Sequence, residues 1–200
     1  MSVNKKTYQL GRWTIVLVAL ISLLPFSIAW YYARHPELIT KTSNYGEFIS
    51  PAIRIDPNGF KVTLPSGSQE RPEIKGRWVL LQATSGPCLE GCLANLHKTH
   101  QVWLMLNKEM PRVKRLLVST SAKGLPASAI QEPWDDSILL ATADKELLKT
   151  LGEALGGGLA EGQIVLIDPE GNLVLKYASD FDPYRMVKDL KHLLNASQIG

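Results

Sequence analysis

Arg77-Trp78-Val79-Leu80-Leu81-Gln82-Ala83-Thr84-Ser85-Gly86-Pro87-Cys88-Leu89-Glu90-Gly91-Cys92 is the stretch that decides the fold. The apolar run over 77–83 predicts a strand buried on both faces, a Gly-Pro loop follows, and a helix begins at the cysteines. The chain has 2 cysteines, and both lie here with three residues between them. A thiol at a helix N-terminus feels the positive end of the macrodipole, which favours the thiolate that attacks disulfides or ligates soft metals. Beyond the loop, Leu89, Cys92, Leu93, Leu96, His100, Trp103, Leu104 and Leu106 recur at three- and four-residue spacing. They predict one apolar stripe on a helix that Pro111 closes.

Working outward, residues 52–55 and 60–64 flank Asp56-Pro57-Asn58-Gly59, a turn sequence that predicts a short N-terminal hairpin, and 66–76 reads as loop. Residues 113–119 predict a second strand parallel to the first, and 138–141 a third short one. Asp144 is a good cap for a helix through 155, which Gly156-Gly157-Gly158 ends. Residues 163–167 and 173–177 flank Asp168-Pro169-Glu170-Gly171-Asn172, the clearest hairpin in the chain. Asp182-Pro183 opens a last helix to 194, with Met186, Leu190, Leu193 and Leu194 inward. Glu132 with Asp135-Asp136 reads as an exposed acidic loop, since calcium-loop spacing is absent. Strand-helix-strand, then a helix, a hairpin and a final helix is an α/β order: a thioredoxin-like fold with an N-terminal hairpin added.

Residues 13–33 carry no charge; at ~1.5 Å per residue they span a hydrocarbon core of ~30 Å, with Trp13 at one interface and Trp30, Tyr31 and Tyr32 at the other. Tyr31-Tyr32-Ala33-Arg34-His35-Pro36 is a poor cleavage sequence, which favours an uncleaved anchor over a signal peptide. Lys5, Lys6 and Arg12 precede the span with no acidic residue, so the expected arrangement is a single pass of the inner (cytoplasmic) membrane with the N-terminus in the cytoplasm and the domain in the periplasm. The expected domains are a cytoplasmic tail over 1–12, the anchor over 13–33, a tether over 34–50 and a thioredoxin-like domain over 51–200.

The net charge of +3 comes from those three basic residues; beyond the span, 19 basic residues face 19 acidic ones. A formally neutral domain gives no support to nucleic-acid binding. About 165 residues beyond the span can bury a core of their own, so the cysteine pair is either one local staple or a working site.

From about Ile55 onward the chain resembles the Sco/SenC proteins, membrane-anchored thioredoxin-fold copper chaperones of cytochrome c oxidase assembly. The residues that carry the resemblance are Asp56-Pro57-Asn58-Gly59, Gly76-Arg77-Trp78-Val79-Leu80-Leu81, Cys88-x-x-x-Cys92 and Ile167-Asp168-Pro169-Glu170-Gly171, behind a single N-terminal anchor. The resemblance implies Cys88 and Cys92 as thiolate ligands of Cu(I) or as a redox pair, copper as the metal, and a cytochrome oxidase subunit as partner. In that family a proline follows each cysteine and a histidine before the late hairpin completes the copper ligands. Here Leu89 and Leu93 follow the cysteines, and the histidine's place falls near Ala160.

Two soft sulfurs converging from a loop suit Cu(I). If both cysteines were helical, their Cβ atoms would stand ~5–6 Å apart, too far for a disulfide; Pro87 and Gly91 instead place Cys88 in the loop and Cys92 near the first turn. His97 and His100 are expected to lie away from the sulfurs; His35 lies beside the membrane and His192 on the last helix. Three readings follow: an assembly factor passing Cu(I) or keeping a partner's thiols reduced; a thiol-disulfide oxidoreductase with Cys88 attacking and Cys92 resolving; and a non-catalytic adaptor with a staple. The first two keep the pair active. The chain reads as an assembly factor before it reads as an enzyme.

Overall fold

The computed structural model describes residues 5–35, 44–63, 74–84, 87–120, 137–157, 162–197 and 199. The loop over 66–73, the stretch over 122–134, the acidic residues Glu132, Asp135 and Asp136, and Ala160 lie outside them. The chain divides into two units, Met1–Ser43 and Asn44–Gly200.

The described residues of the first unit form one helix, α1 (Lys5–Arg34), with Pro25 inside it. Its Trp13–Arg34 portion, 22 residues containing an 18-residue window of mean hydropathy 2.1, is long and apolar enough to cross a membrane. The Arg34 guanidinium lies 4.6 Å from the Trp30 ring.

The described residues of the second unit form seven strands: β1 (Glu47–Arg54), β2 (Phe60–Thr63), β3 (Trp78–Thr84), β4 (Val113–Ser119), β5 (Ile138–Ala143), β6 (Ile164–Ile167) and β7 (Asn172–Tyr177). They form one mixed sheet in the order β1-β7-β6-β3-β4-β5-β2. Central β3 runs parallel to β4 and antiparallel to β6, and every one of its residues is buried. The helices are α2 (Glu90–Met105), α3 (Lys145–Ala154) and α4 (Pro183–Ala196). Asp144 caps α3 through Leu147 N–H, and Asp182 caps α4 through the N–H groups of Tyr184 and Arg185.

Strand periodicity sorts the core. Val79 and Leu81 of β3 join Leu116, Val118, Val165, Leu147 and Leu151 on the α3 face, while Trp78 and Leu80 join Val102, Leu106, Met186 and Leu190 on the α2/α4 face. Burying each such Leu or Val contributes roughly 1.5–3 kcal/mol.

Two expectations are corrected. Residues 52–64 do not form a hairpin: β1 pairs antiparallel with β7 and β2 antiparallel with β5, at opposite edges of the sheet. A two-residue hairpin needs left-handed backbone in its turn. Pro57–Gly59 forms a 3₁₀ turn instead, with Asp56 accepting from Asn58 N–H and neither Asn58 nor Gly59 at positive φ. Ile55 N–H donates to Gly171 O at 2.8 Å, and Gly171 (φ +92°) leaves room for that strand because a Cβ there would lie 2.5 Å from Ile55 O. The sheet continues upstream to Glu47, and the register of β1 breaks between Phe48 and Ile53 around Pro51, which an edge strand tolerates.

The α2 stripe is the other correction. The buried face is Cys92, Asn95, Leu96, Thr99 and Val102, whereas Leu89 and Leu104 are exposed. The helix is rotated toward polar residues because β4 presents Arg115, 1 % exposed, whose guanidinium donates to Leu96 O at 2.7 Å and Thr99 Oγ1 at 3.0 Å.

Candidate functional site

The site lies where β3 hands over to α2. Cys88 precedes the helix, Leu89 is its N-cap without a side-chain bond, and Cys92 occupies its first turn. The two sulfurs are bonded as a disulfide, with the Cα atoms 5.1 Å apart, and both residues are buried. The arrangement of one loop cysteine and one first-turn cysteine removes the separation that two fully helical positions would impose.

The pair packs on Leu96, Leu117, Ile138 and Leu140, an apolar floor formed by α2, β4 and β5. Pro87, Leu89, Glu90 and Gly91 around it are exposed, Leu89 by 69 %. Glu90 is the acidic residue of the first turn, where it complements the helix dipole. The sulfurs therefore sit just beneath the surface on an apolar base, at the positive end of a helix.

Polar side chains close the inner side. Gln82, 2 % exposed, reaches from β3 and donates from Nε2 to Cys92 O at 3.1 Å, with Cys92 Sγ at 3.5 Å. One turn beyond Cys92, Asn95 donates to Gly162 O at 3.1 Å, and Gly162 N–H donates to Ala83 O, so the segment entering β6 is held against the same end of the sheet. Gln82, Asn95 and Arg115 were not singled out by sequence pattern. The available signal was Gln82 within the apolar run of β3 and Arg115, beside Lys114, at the start of β4; Asn95 gave none.

The histidines stand apart from the sulfurs. His97 is exposed and bonded to Gln101 at 2.9 Å, and His100 lies 3.2 Å from Arg115 Nη1. His192 is exposed on α4, and His35 stacks on Tyr31 with ring centroids 4.7 Å apart. Trp78 is core, and Trp103 is half-buried with its indole N–H shared between Met110 O and Val113 O. Among the described residues no three His, Cys, Asp or Glu side chains converge. The chemistry on offer is that of two sulfurs: a disulfide that opens to a dithiol, and a dithiol that can give two soft ligands.

The profile of the transmembrane-like, thioredoxin-like, C-terminal domain family matches residues 78–197, more than half of the chain. The chain belongs to this family. The matched span of this transmembrane-like, thioredoxin-like protein runs from β3 through α4 and so includes both cysteines. No curated protein sequence matches it.

Among solved structures it is similar to a SCO1/SenC family lipoprotein from Bacillus anthracis, at 15 % identity and TM-score 0.53 over 73 % of this chain and 99 % of that one. It is also similar to yeast Sco1 with copper bound, at 15 % identity and TM-score 0.52 over 78 % and 96 %. Copper-bound ScoI of Arabidopsis thaliana gives 15 % and 0.51 over 68 % and 96 %. At such identities the likeness is one of fold: the transmembrane-like, thioredoxin-like family member has a Sco-like thioredoxin fold.

Proposed function

We propose that this chain is a membrane-anchored, Sco-like accessory protein of cytochrome c oxidase biogenesis. Cys88 and Cys92 hold Cu(I) as cargo or keep a partner's cysteines reduced. The observation that carries the reading is the meeting of Cys88 and Cys92 at the β3–α2 junction, on a fold shared with Sco structures solved with copper bound. Residues 13–33 anchor the protein in the inner membrane, and Lys5, Lys6 and Arg12 keep the tail over 1–12 cytoplasmic, so that the chain from residue 34 onward faces the periplasm.

The closed pair has no thiolate to give. Two electrons and two protons from a dithiol reductant open it to two thiols, and Cu(I) then displaces the two protons as it takes the two sulfurs. The apolar floor of Leu96, Leu117, Ile138 and Leu140 keeps water from one side of the sulfurs. Exposed Pro87 and Leu89 leave the other side open for transfer.

The closed disulfide favours a second reading, a thiol-disulfide oxidoreductase of the exported compartment. Complementation separates the two. Cells whose only copy is the Cys88→Ser, Cys92→Ser double variant are expected to lose cytochrome c oxidase activity at limiting copper. Recovery on added copper supports cargo transfer, and recovery on an added dithiol alone supports the oxidoreductase. Undiminished activity in the variant contradicts both and leaves a non-catalytic adaptor.

A further inference from the structure

Gln82 stands in β3 among Trp78, Val79, Leu80, Leu81 and Ala83, every one of them buried. Its amide lies against Cys92, with Nε2 3.1 Å from the carbonyl oxygen and 3.5 Å from Sγ. The carbonyl is a pure acceptor, so it fixes which way the amide faces, nitrogen toward the cysteine. Among the described residues Oε1 is buried with no hydrogen-bond partner. A buried amide with an unmatched oxygen is disfavoured, and in the interior of a strand it calls for an explanation beyond packing.

The two redox states of the pair differ in what they offer this amide. A disulfide sulfur is a poor acceptor and has no proton. A thiolate is a charged acceptor for Nε2–H, which already faces Sγ at 3.5 Å, so the amide keeps its bond to Cys92 O. The reduced pair in its thiolate form engages Gln82 better than the disulfide does. We infer that Gln82 is a positioning residue for the redox poise of the pair: acting through Cys92, it favours the open dithiol over the closed disulfide. The inference rests on the reading of Cys88 and Cys92 as a working pair and adds to it a reason for the pair to open.

The equilibrium is a balanced exchange. A dithiol reductant and the closed pair become the reductant's cyclic disulfide and two protein thiols, with two electrons and two protons passing to Cys88 and Cys92. Titration of the full chain in detergent micelles against reduced and oxidised dithiothreitol, read by alkylation and mass, gives the midpoint. Gln82→Met keeps the shape and removes both amide functions. It is expected to shift the exchange constant about tenfold toward the disulfide, a midpoint ~30 mV more negative. Gln82→Asn withdraws the amide by one methylene and is expected to shift the same way, which serves if the methionine variant fails to fold.

Asp144→Ala removes the side-chain cap of α3, on the face of the sheet that carries Val79 and Leu81. It is expected to lower stability and leave the midpoint at the wild-type value. Gln82 variants at or above the wild-type midpoint, or an equal shift from Asp144→Ala, overturn the role of Gln82 alone. A wild-type pair that stays closed in every dithiol buffer while the protein remains folded overturns the working-pair reading with it.

Discussion

Gly162 shows how tightly single residues bind the candidate site together. Its φ is +76°, and a Cβ there would lie 2.9 Å from Asn95 Nδ2 and 3.1 Å from Ser179 Cβ. Gly162→Ala is therefore expected to cost about 1–3 kcal/mol in denaturant unfolding, from backbone strain and from pushing Asn95 off its bond to residue 162. Arg115 is a second such residue. Arg115→Met removes a buried donor from Leu96 O, which keeps only the Thr99 hydroxyl as side-chain donor, and from Thr99 Oγ1, and a loss of about 2–4 kcal/mol is expected by the same measurement. Tyr177 sets the alkaline limit. Burial first, and then the Asp189 carboxylate beside it, hold its phenol well above the usual range. A folded-state pKa raised above the unfolded one means stability that is intact below about pH 10 and falls as pH rises further. Wild type is expected to lose up to about 1.4 kcal/mol per pH unit there through this group, a slope that Tyr177→Phe removes when stability is followed from pH 8 to 12.

Among the elements, those whose local signals agree with their tertiary setting were legible: β3 and β4, α3 behind its Asp144 cap, the β6–β7 hairpin around Asp168-Pro169-Glu170-Gly171, and α4 behind Asp182. Where a local signal and a long-range partner disagreed, the partner won. Asp56-Pro57-Asn58-Gly59 looks like a hairpin turn, but β7 and β5 each had an open edge, and β1 and β2 took one each. The α2 stripe counted leucines and could not weigh Arg115, which sits in another element and turns Asn95 and Thr99 inward. The edge position of β1 also depends on one carboxylate. Asp189 of α4 is buried and accepts from Tyr45 N–H, Gly46 N–H and the Tyr177 hydroxyl. Asp189→Asn weakens these charge-assisted bonds and sets an amide N–H₂ against donors. Hydrogen exchange in Glu47–Arg54 is expected to rise at least ~10-fold, before the central strands respond.

For the whole molecule, hydropathy and charge sufficed to find a candidate span and to locate the basic excess ahead of it, because both are additive along the chain. The cysteines were legible because there are only two and they flank one strand-to-helix loop. Their apolar floor and the Gln82 amide were not, since both are made by residues brought together from β3, α2, β4 and β5. Anaerobic titration of the reduced full chain in detergent with Cu(I) against a competing chelator, beside the Cys88→Ser, Cys92→Ser variant, decides whether this pair is a copper-handling thiol site. One Cu(I) held per chain and lost in the variant is expected; wild type that holds no more copper than the variant contradicts it.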